Sequence, residues 1–314
     1  MADTLKAAAK RPPERSRSST RASLLGPLAS VVPDGGLAAK LRLPQGPVDL
    51  TTFDTRATVG FPGTDKHDAL RLVQDMLPRL TDVQERLFAQ GRENPETAPR
   101  ILLLLQGMDT SGKGGVIRHS VGMVDPQGVQ ITSFKAPTQE ELAHDFLWRI
   151  EKAVPDPGMI GVFDRSHYED VLVVRVEELV PREEWESRYD RINEFEEDLA
   201  DRGITLVKCF LQVSHGRQKE RLMRRLERPD KHWKYNPGDL DVRAKWRQYR
   251  EAYEEALTRC NTDRAPWYVI PADRKWYRNW AVAQLLLEHL EGLDLRWPKA
   301  DYDVEEQKRL LAET

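Results

Sequence analysis

Five aliphatic residues in a row, Ile101–Leu105, run through Gln106 into Gly107-Met-Asp-Thr-Ser-Gly-Lys-Gly-Gly115. An unbroken apolar run stopped by glycines reads as a strand buried on both faces, as in a parallel sheet covered by helices. The loop after it has G-x-x-x-x-G-K spacing, in which backbone amides and a helix N-terminus surround a phosphate. Gly112, Gly114 and Gly115 let the main chain approach the anion, and Lys113 brings a mobile charge to the phosphates being exchanged. One position departs from the usual pattern. Gly114 stands where a Ser or Thr hydroxyl would bind magnesium, so a carboxylate must bring the metal in, and Asp109 lies inside the loop. The substitution argues against an ordinary ATPase or GTPase.

The rest of the chain repeats strand and helix in alternation. Leu70, Val73, Leu77, Leu80, Val83 and Leu87 recur at helical spacing, with Gly91 placed as a C-cap. Strands are predicted at 101–106, 130–134, 158–164, 204–213 and 267–270. Helices are predicted at 139–154, opened by a Thr138/Glu141 capping box, at 183–201, from the fourth strand to about 228, and at 242–260 and 276–290. This alternation predicts a doubly wound α/β fold, a parallel sheet with helices on both faces, in one domain from residue 37 to 314. Residues 1–36 are different: they are rich in Ser, Ala and Pro and carry a net charge of +3. They read as a disordered basic tail, because they hold too little apolar surface to offset the entropy of ordering. A targeting segment is the weaker reading, since Gly26 and Pro27 interrupt the only apolar stretch there.

Met159–Phe163 is an apolar strand ending in Asp164, whose carboxylate should face the same crevice as the loop and bind magnesium. Its alternative is an N-cap ahead of Ser166. Arg165 is placed to grip a phosphate in bidentate fashion. Glu169 either joins the metal or acceptor site or is a solvated acid of a first helical turn, and His167 reads as structural.

Arg217, Arg221, Arg224 and Arg228 fall at i, i+4, i+7 and i+11, on one helix face. Across 217–234 eight Lys/Arg, Lys231 among them, stand against three acids, a local charge of +5 in a chain whose formal charge is −3. A salt-bridged solvated face is the plain alternative. Following the fourth strand, the stripe is better placed as a lid, at about 214–240, over a polyanionic phosphate substrate. Arg118 and Lys135 either touch phosphate or lie on the surface. Phe146, Trp148 and Trp233 are candidates to stack on a base, though aromatic residues more often pack in a core.

Together these segments resemble the family-2 polyphosphate kinases. The motifs are Gln106–Gly115, Phe134-Lys-Ala-Pro-Thr, His144-Asp-Phe-Leu-Trp-Arg, Phe163-Asp-Arg-Ser-His-Tyr-Glu-Asp-Val-Leu and Arg221–Lys234, within residues 40–295. The resemblance implies a thymidylate-kinase-like P-loop fold with a helical lid and transfer of phosphoryl groups between inorganic polyphosphate and AMP, ADP or ATP. It also implies magnesium and a homo-oligomer, a dimer or tetramer. By the same resemblance Asp109, Lys113, Asp164, Arg165 and the lid arginines, Arg221 among them, carry the chemistry. Tyr168-Glu169-Asp170 is similar to members acting on both AMP and ADP, some of which have Asn at the position of Asp164.

Two other readings compete. A nucleotide-dependent nucleoside monophosphate kinase shares the fold but does not account as naturally for Gly114 or the arginine stripe. A nucleic-acid-binding P-loop protein would use the basic helix and tail, and the net charge and the pI of 6.2 oppose it. The mean hydropathy of −0.62 and the lack of any run of about 20 apolar residues argue against a membrane span. Two cysteines without C-x-x-C spacing are in keeping with a reducing, cytoplasmic location.

Overall fold

The computed structural model describes residues 35–314, so the predicted basic tail lies outside the described residues except for its last two positions. The strands are β1 (Arg100–Gln106), β2 (Val129–Ser133), β3 (Ile160–Asp164), β4 (Ile204–Gln212) and β5 (Trp267–Pro271). They form one parallel sheet in the order β2-β3-β1-β4-β5. The helices in chain order are α1 (Leu37–Leu41), α2 (Lys66–Glu93), α3 (Lys113–His119), α4 (Gln139–Leu142), α5 (Trp148–Glu151) and α6 (Glu169–Val176). After them come α7 (Arg182–Asp201), α8 (His215–Glu227), α9 (Asp239–Ala244), α10 (Trp246–Arg259), α11 (Lys275–Gly292) and α12 (Val304–Ala312). None is long and apolar enough to cross a membrane.

β1 is central, and Ile101–Leu105 are fully buried, as an apolar run under two helical layers requires. Its neighbours β3 and β4 come from opposite directions in the connectivity, which opens a crevice beyond the carboxyl ends. Leu105 pairs in register with Asp164, so the loop after β1 and the acid closing β3 emerge side by side.

Two predicted helices are broken. The 139–154 helix becomes α4 and α5, because Asp145 accepts a hydrogen bond from Leu147 N at 3.0 Å and pairs with Arg191, drawing the chain out of the helix. The 242–260 helix is divided at Lys245, which pairs with Glu177. Gly91 lies inside α2, where a side chain would strike the main chain of Pro157 at 2.5 Å, and Asn94 takes the C-cap.

Behind β3 the core holds a closed set of charges. Lys208 on β4 donates to Glu196 at 2.6 Å, to Tyr168 Oη at 2.9 Å and to the Cys260 carbonyl at 2.7 Å, while His167 meets Glu196 at 3.2 Å. His167 is structural, tying the turn after β3 to α7. Burial opposes ionisation of Glu196, but Lys208 and His167 outweigh it and hold the carboxyl below its usual range. The pair therefore stabilises the fold above the ordinary glutamate pKa, and that contribution is lost as pH falls through the depressed value. Replacing Glu196 with Ala would strand a buried ammonium, at an expected cost of about 3–5 kcal/mol in urea unfolding at pH 7.

Candidate active site

Gly112 opens α3 with φ +112°, in the left-handed region, and a Cβ there would lie 1.7 Å from Arg278 Nη1. Arg278 itself is buried on α11 and donates to the Ser111 carbonyl at 2.9 Å. Arg221 approaches the same loop from α8, donating to the carbonyls of Thr110 at 2.7 Å and Ser111 at 3.1 Å, and to Ala272 and Asp273 behind it. The loop is thus clamped by two guanidinium groups bonded mainly to main-chain carbonyls. At Gly114 a Cβ would meet nothing within 4 Å, so that face is open.

Lys113 is buried, with Nζ 2.9 Å from the Gly107 carbonyl. Burial lowers its pKa, Arg165 adds to that, and Asp109, Asp164 and Glu169 pull the other way. Arg165 has φ +66°, a costly conformation outside glycine that the surrounding structure must hold. Its Nη2 donates to Asp109 at 2.9 Å and its Nη1 lies 3.5 Å from Glu169. Burial works against the Arg165 charge, but Glu169 and Asp109 overcome it and raise its pKa.

These groups line one end of a cavity of about 1170 Å³, whose wall holds thirteen Lys and Arg residues but only two carboxylates, Asp109 and Asp164. In a chain with a formal charge of −3 this is a concentrated positive field in a concave surface. Among the described residues no three His, Cys, Asp or Glu side chains converge to hold a metal. Magnesium nevertheless suits the pair of carboxylates, since it usually binds through one or two of them plus substrate phosphates and water.

The model of the family described as Polyphosphate kinase 2 matches residues 73–297. The chain belongs to this family. It is 46% identical to an AMP/ADP-polyphosphate phosphotransferase of Meiothermus ruber, across 82% of this chain and 94% of that one. It is 38% identical to an ADP-polyphosphate phosphotransferase of Rhodopseudomonas palustris, across 80% and 89%. A crystal structure of polyphosphate kinase 2 from Arthrobacter aurescens TC1 superposes with a TM-score of 0.85 at 50% identity, covering 89% of this chain and 97% of that one.

Within this polyphosphate kinase 2 chain, Asp109, Gly112, Lys113, Gly114, Gly115, Arg118, Lys135, Asp164, Arg165, Arg221, Arg224, Arg228 and Lys231 all line the cavity. Five residues singled out from sequence do not. Arg217 pairs with Glu220, and Glu169 sits behind Arg165. Trp148 stacks on His144 at 4.0 Å and has Lys152 Nζ 3.6 Å from its ring centre, and Trp233 points outward, 78% exposed. Phe146 carries the guanidinium groups of Arg188 and Arg191 over its ring, at 5.0 and 4.9 Å. Arg228 and Lys231 both reach the cavity but share Asp230. Sequence reading missed Lys66, Lys275 and Arg278, which come from helices far from the loop in the chain. The i, i+3 spacing of Lys275 and Arg278 was the available signal.

The two glycines separate in a direct comparison. Gly112→Ala is expected to lower Tm and abolish binding of a short polyphosphate by calorimetry, while Gly114→Ala leaves Tm within about 2 °C of the parent.

Proposed function

We propose that this polyphosphate kinase 2 protein transfers the terminal phosphoryl group of inorganic polyphosphate to AMP and ADP, reversibly and with magnesium. The observation that carries the proposal is the cavity: a phosphate loop continued by a wall of cations longer than a single nucleotide's phosphates require. The phosphotransferase names of the two relatives agree with it, and the acceptor range follows the 46% identical one.

An acceptor phosphate oxygen is already ionised at neutral pH, so the reaction needs alignment and charge neutralisation more than a strong base. Lys113 and Arg165 are taken to spread the charge of the phosphoryl group in transit, and the loop amides to hold its donor side. Asp109 has a double part, fixing Arg165 and standing ready for the metal. Bound magnesium, held by Asp109 and Asp164, would neutralise charge between donor and acceptor phosphates. Arg221 is assigned a positioning part, because its Nη atoms are committed to four carbonyls under the loop. Arg224 carries no ion pair among the described residues and is the lid arginine freest to meet substrate. Segment 214–240, comprising α8, a 3₁₀ turn at Pro229–Lys234 and the first two residues of α9, is read as the lid.

The protein is further read as a cytoplasmic homo-oligomer, a dimer or tetramer, on the family resemblance and on two buried unpaired thiols. Light scattering after gel filtration checks the assembly.

Mixing protein, magnesium and long-chain polyphosphate with AMP or ADP, and following ³¹P signals, tests the reaction. ADP and then ATP should appear from AMP. Turnover only with ATP plus AMP, without polyphosphate, would mean a nucleotide kinase instead. Asp109→Asn is expected to lower kcat at least about 100-fold at saturating magnesium; near-full activity would remove it from the mechanism.

A further inference from the structure

Lys275 is the first residue of α11, one turn before Arg278, and opens onto the cavity. It has no hydrogen-bond or ion-pair partner among the described residues. Arg217, Arg221 and Arg224 of α8 and Arg278 of α11 crowd it. Asp273, two residues earlier, acts on Arg221 and not on Lys275; its carboxylate accepts from Ser214 N at 2.9 Å, Ser214 Oγ at 2.8 Å and Thr55 Oγ1 at 2.9 Å. Arg274 is also turned aside, to the Arg56 carbonyl. The Nε of buried Arg221 has no partner either. A corner that sets four guanidinium groups around an ammonium with no carboxylate paired to it, while Glu220 and Asp273 act on Arg217 and Arg221, is built for a multiply charged anion.

We propose that Lys275, together with Arg224, holds a phosphate of the donor chain outside the loop that grips the group being transferred. The assignment rests on polyphosphate being the donor. It also makes donor binding proton-linked. Desolvation in the cavity wall, then Arg221, Arg224, Arg278 and Arg217, push the Lys275 ammonium down to about 8. An anion seated beside it favours the charged form and raises that value, so polyphosphate binding near pH 8 must take up a proton. Affinity for the donor falls as pH rises through the free-enzyme value. An arginine at the same place stays charged throughout and removes this component.

The test uses full-length protein with polyphosphate alone, so that no turnover occurs. Calorimetric titrations at pH 8 in two buffers of different ionisation enthalpy give the protons taken up, for the parent, Lys275→Arg and Lys275→Gln. The parent should take up a fraction of a proton more than either variant. Lys275→Gln should raise the polyphosphate KM about tenfold at pH 7, with the nucleotide KM changed less than about twofold. Lys275→Arg should restore the pH 7 value and flatten the rise between pH 7 and 9. Equal proton uptake in all three proteins, or an equal rise of both KM values, would overturn the assignment. Absence of polyphosphate binding by the parent would instead overturn the donor reading itself.

Discussion

Two buried guanidinium groups bonded to one carbonyl oxygen are the constraint on which this site depends. Arg221 and Arg278 come from different helices and meet at Ser111, at 3.1 and 2.9 Å. Burial lowers the pKa of both; Arg221 lowers that of Arg278 further, and Arg217 and Arg224 do the same to Arg221. Guanidinium nonetheless stays protonated in proteins, so the cost appears as an unbalanced field rather than as a lost proton. That field points up through the loop, where backbone amides and the start of α3 already favour an anion. The glycine at 112 is a consequence: the space its side chain would fill belongs to Arg278.

The sheet order sets what the field acts upon. With β1 between β3 and β4, the loop emerges beside Asp164 and Arg165 on one flank, while β4 leads into the basic helix α8 on the other. The carboxylates thus collect on the β3 side and the cations on the α8 and α11 side. Arg165 joins the halves: it is a cation among acids, strained in its backbone and fixed by Asp109 and Glu169. The buried Lys208–Glu196–Tyr168 set anchors the turn that carries it, so a charge network in the core serves the geometry of one at the surface.

The sheet was legible because four of the strands are short, largely apolar runs closed by proline or a polar residue, while β2 alternates as Val-Gln-Ile-Thr-Ser, and all five lie within two residues of their expected bounds. The loop and Asp164 were legible for the same reason, since their places follow from strand ends. Side-chain direction was not. Helical spacing placed Arg217, Arg221, Arg224 and Arg228 on one face, yet that face curves past the cavity, leaving Arg217 outside and sinking Arg221 beneath the loop. The break at 143–147 was hidden because two contacts of one side chain decide it, Asp145 with Leu147 N and with Arg191. Lys66, Lys275 and Arg278 were invisible as a group because only the packing of α2 on α11, and of α11 on α3, brings them to the cavity.

The contrast between an acidic chain and a cationic cavity also bears on selectivity. A protein that coats nucleic acid spreads its cations over an outer surface, where each neutralised phosphate releases a counterion. Here the cations line a concave wall, several are tied to loop carbonyls, and Arg228 and Lys231 at the rim share one aspartate. Field lines in such a shape are focused inward, and the overall charge of −3 gives little attraction at distance. A chain must therefore thread its phosphates into the cavity to gain the favourable energy. Inorganic polyphosphate, with no base or sugar to exclude, can do so at every residue along its length, whereas a nucleic acid strand would have to bring its bases in with it.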